Sequence, residues 1–149
     1  MRTFEELNKL LGGNEKEADW AQHKNGLGWI HKNARVASTA YVGENAIVWG
    51  VVYGDAKVSG NARVYGNAWV CGDAKVSGNA WKKSPLFIVG SRHSLSNAKH
   101  GYIQIGCKCE KFKWWLGKEA KQFAEENGYS PAEIEEYRAY VKLFIAVGK

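Results

Sequence analysis

Proline is almost missing from this chain, two residues in 149, while glycine appears seventeen times. Turns must therefore rely on positive φ rather than on a ring that fixes φ. Cysteine is scarce as well. Three thiols, Cys71, Cys107 and Cys109, cannot build a disulfide framework, which excludes a stapled mini-protein and suits a reducing compartment. No apolar run approaches the roughly 18 residues of a membrane span. The opening MRTFEELNKLLGG puts acids where a secretory leader needs an apolar core, so the sequence predicts a cytoplasmic protein with no membrane partner. Disorder is excluded too, since 45% of residues are hydrophobic and 24% charged. The net charge of +6 is uneven: residues 82–149 carry twelve Lys/Arg against seven Asp/Glu, whereas residues 1–32 balance. A basic chain of one domain's length directs attention to anionic ligands.

What the chain has in abundance is repetition. The octapeptide DAKVSGNA occurs at 55–62 and again, unchanged, at 73–80, an offset of 18. Between and before the copies run NARVYG, NAWVCG, NARVAS, TAYVGE and NAIVWG, so the unit is six residues: Asn/Asp, Ala, any residue, Val, any residue, Gly. Val36, Val42, Val48, Val52, Val58, Val64, Val70 and Val76 mark the units, most with Ala two residues before. A six-residue period excludes a helix, whose face recurs near 3.6. Ala and Val point one way and the residue between them the other, as in a short strand. Gly-Asn or Gly-Asp then suits a corner in the left-handed region. Three strands and three corners make one triangular coil of 18 residues, which is the offset observed. The fold class is therefore mainly β: a short parallel β-helix of about three coils over 33–81, filled by small residues.

One unit is irregular. Val48 and Val52 are four apart, so that corner lacks two residues: either Trp49 alone turns it or the coil is distorted there. Projecting the intervening residues outward gives three faces: Arg35, Val51 and Trp69; Tyr41, Lys57 and Lys75; Ile47, Arg63 and Trp81. At the corners Trp49 stands above Tyr65, and Tyr53 above Cys71. Outward Ile47, Trp69 and Trp81 call for burial, against sister subunits or against the terminal domains.

The flanks read as covers and an appended domain. Thr3 and Glu6 form a capping box for a short helix ending near Gly12, and residues 20–32 cap the first coil. In 82–149, two strands are expected at 85–89 and 102–106 around the loop GSRHSLSNAKHG. A helix follows with Phe112, Trp115, Leu116, Ala120 and Phe123 on one side, stopped by Gly128. A second begins at the capping box Ser130-Pro131-Ala132-Glu133, with Ile134, Tyr137, Val141, Phe144 and Ile145 as its apolar stripe. The organisation is thus 1–32 helix and cap, 33–81 β-helix, 82–149 small α+β domain.

Candidate functional residues follow from chemistry. Trp49, Tyr53, Tyr65 and Trp69 offer aromatic surface beside the cations Lys57 and Arg63, a pairing suited to stacking a base and holding phosphate. The loop residues Ser91, Arg92 and His93, after Gly90, offer a hydroxyl, a guanidinium fork and backbone donors, also suited to phosphate. Lys82, Lys83, Lys99, Lys108 and Lys111 would add to that field. His93, His100, Cys107 and Cys109 have a spacing that fits no common zinc finger, so no metal is expected, and Cys107 reads as a small buried residue at a strand end. No cofactor is expected.

The repeat over 33–81 resembles the hexapeptide-repeat proteins, and that resemblance implies a left-handed coil. With SPLFIVGSRHS…HGYIQIGC…WWL at 84–116, the chain more closely resembles small phage and prophage proteins that join such a helix to a short C-terminal domain. This resemblance implies a homotrimer in the cytoplasm of an infected or lysogenic host. It also implies a non-enzymatic role: sequestering a nucleotide-derived signal of host defence, such as a cyclic nucleotide or an ADP-ribose-like molecule, at sites between subunits. Long nucleic acid is not expected as a partner. Two alternatives stand beside it. One is a structural or protein-binding trimer. The other is a hexapeptide acyltransferase, but residues 33–81 contain no histidine to act as the general base that reaction needs.

Overall fold

The structure is a computed structural model and describes residues 1–78 and 80–148. The chain divides into two compact units, Met1–Ser84 and Pro85–Lys149. The first 32 residues thus belong with the repeat.

The first unit is a three-turn β-solenoid. Its first sheet contains β1 (Trp20–Gln22), β2 (Trp29–His31), β5 (Ile47–Val48), β8 (Arg63–Val64) and β11 (Ala80–Trp81), in that order. The second contains β3 (Arg35–Val36), β6 (Val51–Val52) and β9 (Trp69–Val70); the third β4 (Tyr41–Val42), β7 (Lys57–Ser59) and β10 (Lys75–Ser77). The strand pairings between successive coils are parallel, β1 pairs antiparallel with β2, and an isolated antiparallel bridge joins Leu27 to Gly43. From Ala40 to Val76 the repeat's inward Ala and Val residues are inaccessible to solvent or nearly so. The interior is therefore two small side chains deep per strand, and each fully buried Val contributes about 1.5–3 kcal/mol of hydrophobic stabilisation. Gly54, Gly60, Gly66, Gly72 and Gly78 turn the corners with φ between 57° and 74°. A side chain there would force the strained left-handed region. Gly54 also lies so close over Gly72 that an added Cβ would stand 3.0 Å from the Gly72 carbonyl oxygen.

The short corner after Val48 is made by two residues, Trp49 and Gly50, whose amides both donate to the Val64 carbonyl at 2.7 and 3.0 Å. Gly50 is buried, and a Cβ on it would come within 2.7 Å of the Ala68 carbonyl oxygen. The register absorbs the deletion: Arg35 pairs with Val51, Tyr41 with Lys57 and Ile47 with Arg63, before the steps of 18 resume at Val51 with Trp69.

One outward assignment changes. Trp81 pairs with Val64 and Ala80 with Arg63, so Trp81 takes the inward position and is 1% exposed. Only five positions separate Val76 from Trp81, and a one-residue shift moves every side chain of a strand to the opposite face. Asn79 of the second octapeptide, in the corner before it, lies outside the described residues. Ile47 does point outward, yet it is completely buried, because Leu7, Trp20 and Trp29 pack over it. Leu7 belongs to α1 (Phe4–Leu11), which has the expected Thr3–Glu6 capping box and ends at Gly12 in the left-handed region. The cap of the first coil is also in place: Gly28 donates to the Val42 carbonyl (2.8 Å), and the Asn25 carbonyl accepts from Val42 (2.9 Å).

The second unit holds a four-stranded antiparallel meander, β12 (Phe87–Val89), β13 (Ser94–Lys99), β14 (Tyr102–Ile105) and β15 (Lys108–Lys111). Three helices follow: α2 (Phe112–Trp115), α3 (Lys118–Glu126) and α4 (Pro131–Val147). The two expected strands are β12 and β14. The polar run Ser94–Lys99 hid β13, whose Asn97 is fully buried and donates from its amide to the Lys99 and Tyr102 carbonyls. Cys107 is exposed rather than buried, because Gly106 and Cys107 form the tight turn between β14 and β15. Leu95, Ile103, Trp115, Tyr137, Val141 and Phe144 form the core, while Ile145 of the expected stripe is exposed.

Candidate functional site

In the first unit, the short corner creates a groove. Because Trp49 and Gly50 replace four residues, the Trp49 ring is drawn against the N-terminal cap, 4.5 Å from Trp20 and 6.1 Å from His31 between ring centroids. Its other neighbour is Tyr65 on the coil below, edge-on at 6.4 Å. Leu11, Trp49, Arg63, Tyr65 and Gly66 line an open groove of about 370 Å³. The Lys82 ammonium lies 5.9 Å from the Tyr65 ring centroid.

Arg63 projects outward from β8 and is half-buried. Among the described residues its guanidinium has no hydrogen-bond or ion-pair partner. A second cation stands nearby. Arg2 is half-buried, donates from Nη1 to the Asn45 carbonyl at 2.7 Å, and has its pKa lowered by burial and then by the positive charge of Arg63, partly offset by Glu6. Like charges brought together out of water are costly unless an anion joins them. Sequence reasoning missed Arg2 and Leu11, which lie far from the repeat in the chain; Arg2's charge was the only available signal.

Of the residues singled out from sequence, the fold brings Trp49, Arg63 and Tyr65 together. Lys57 and Trp69 stand on the other two sheets, and Tyr53 follows β6 at the corner between them. Trp69 is 56% exposed and Tyr53 42%. Within one chain these three do not reach the groove.

The basic loop in the second unit is committed internally. Both Ser91 donors go to Glu136, the amide at 3.0 Å and the hydroxyl at 2.6 Å. Arg92 donates to the Gly128 and Asn127 carbonyls at 2.8 and 3.1 Å, lies 4.5 Å from the Tyr129 ring centroid, and faces Glu133 at 3.7 Å. The Arg92 and His93 amides both donate to the Tyr137 hydroxyl, which donates in turn to the His93 carbonyl. The phosphate expected beside Ser91, Arg92 and His93 has a substitute: the chain's own carboxylates. The Ser91 hydroxyl and then its amide hold Glu136 below the ordinary glutamate range, and the Ser130 amide and hydroxyl do the same for Glu133. The bond to Glu136 raises the Tyr140 phenol, and burial raises Tyr129. An apolar cavity of about 50 Å³ between α3 and α4, lined by Trp115, Phe123, Ile134 and Tyr137 among others, is too small for an organic ligand.

Among the described residues, no three His, Cys, Asp or Glu side chains are grouped to hold a metal ion, and no helix is long and apolar enough to cross a membrane. No protein family, curated protein or solved structure matches the chain.

Proposed function

We propose that the protein is a binding module that captures a small anion of nucleotide size in the groove at Trp49, Arg63 and Tyr65 and returns it unaltered. The observation that carries this reading is Arg63: a half-buried arginine without a partner among the described residues, lining a groove with Trp49 and Tyr65. A volume of about 370 Å³ falls in the size range of small-molecule sites. Trp49, Tyr65 and Leu11 supply flat apolar surface, and Arg63 a planar fork that matches phosphate oxygens. These groups hold and orient; sequestering a nucleotide signal, in the cytoplasm and as a homotrimer, is the role that fits them and the phage-protein resemblance. Native mass spectrometry of protein purified from cells expressing signalling cyclases tests it. A co-purifying anion, released unaltered on denaturation and lost from Arg63→Ala, is the expected result. Turnover of acetyl-CoA with sugar acceptors would overturn it.

A second reading, a protein-interaction module, is favoured by the exposed Trp69 and Tyr53 on surfaces remote from the groove. The two readings are separable, because only the first depends on Arg63.

A further inference from the structure

Helix α1 does more than cover the first sheet. Its Leu7 packs on Ile47, and its last residue, Leu11, lines the groove. Just ahead of its N-cap, Arg2 is tied to the Asn45 carbonyl, two residues before Ile47, whose partner in the next coil is Arg63. The helix therefore presents Arg2 at one end and Leu11 at the other, along the strand above Arg63. Neither guanidinium has an ion-paired carboxylate among the described residues. Glu6, the acid whose charge Arg2 feels, is engaged as an acceptor from the Thr3 amide at 2.9 Å.

We propose that Arg2 and Arg63 together receive a doubly charged phosphate group, a terminal monoester or a pyrophosphate, so that the groove selects nucleotides carrying one over singly charged cyclic phosphodiesters. This rests on the binding reading above and specifies its ligand. Charge matching carries the argument. Two guanidiniums present ten N–H donors, of which Arg2 spends one on Asn45. A terminal phosphate brings about −1.5 to −2 charges and three acceptor oxygens, enough for both forks. A cyclic phosphodiester brings a single charge and would leave one cation uncompensated in a half-buried place. The arrangement also makes α1 part of the site, so residues remote from the repeat set its specificity.

Calorimetry at one fixed salt concentration tests this with three probes: ADP, 3′,5′-cyclic AMP and inorganic pyrophosphate. ADP should bind at least about tenfold tighter than cyclic AMP, the weight of one charge-assisted contact, and pyrophosphate, which has no base, should bind measurably. Arg2→Gln and Arg63→Gln should each bring ADP down to the cyclic AMP level, with Arg63→Lys between. Arg63 points away from the core, so its variants keep the fold, and an unchanged melting temperature checks it. Equal binding of ADP and cyclic AMP, insensitive to Arg2→Gln, would overturn the proposal while leaving the binding reading intact. Failure of all three probes would overturn both.

Discussion

The interior of the solenoid leaves no room for added volume. Ala62 is fully buried between coils, with Ala46 before it in the stack and Val64 two residues on along its own strand. Ala62→Leu should overpack this narrow space and cost about 1–3 kcal/mol. Arg63→Ala, the next residue, removes an outward side chain without a partner among the described residues and frees Arg2 from a like charge, so stability should stay within about 0.5 kcal/mol of the parent. Urea unfolding of both variants distinguishes them. Equal losses would mean that the inward and outward assignments along β8 are wrong.

Between elements, the clasp from the β12–β13 loop to α4 should respond to acid. The Glu136 and Glu133 carboxylates are both held below the ordinary glutamate value by donors that prefer the charged form. A depressed folded pKa means that the unfolded chain binds protons more readily. The stabilisation is therefore present above the unfolded value and is lost as pH falls through the folded one. The melting temperature should drop from about pH 5 downward, across the ordinary glutamate value near 4.3. Glu136→Gln should flatten that slope while lowering the melting temperature at neutral pH. A variant with the parent's full acid sensitivity would show that the Ser91 contacts contribute nothing. Arg92 belongs to the same clasp, bridging the α3–α4 turn, so its loss should be felt in folding rather than in ligand binding.

For the whole molecule, the case for self-association has narrowed. Ile47 and Trp81, two of the three apolar side chains expected to need burial, are covered by their own chain. Trp69 remains, on the sheet of Arg35 and Val51. An indole this exposed is a candidate contact. The homotrimer implied by the resemblance should then give three times the chain mass in light scattering, and Trp69→Lys should lower that mass without changing the circular dichroism. A monomeric parent protein at micromolar concentration would remove the trimer from the proposal.

The six-residue period determined the solenoid by itself. Most units carry their own strand, inward pair and glycine corner, so the information is local and repeats until the pattern is unmistakable. The capping boxes at Thr3 and Ser130 were legible for the same reason, since four consecutive residues contain the whole motif. Strand β13 was not, because its burial is decided by what lies beside it and its own composition is polar. The site divides along the same line. Trp49, Arg63 and Tyr65 were found from the repeat's register, which places neighbours one coil apart. Only the tertiary structure decided that Trp81 turns inward, that α1 buries Ile47, that Arg2 is tied to the Asn45 carbonyl in the coil next to that of Arg63, and that Glu136 occupies the donors of Ser91 from 45 residues away. Such contacts join segments with no common period. They are set by packing and by the pairing of charges out of water, and neither leaves a pattern along the chain.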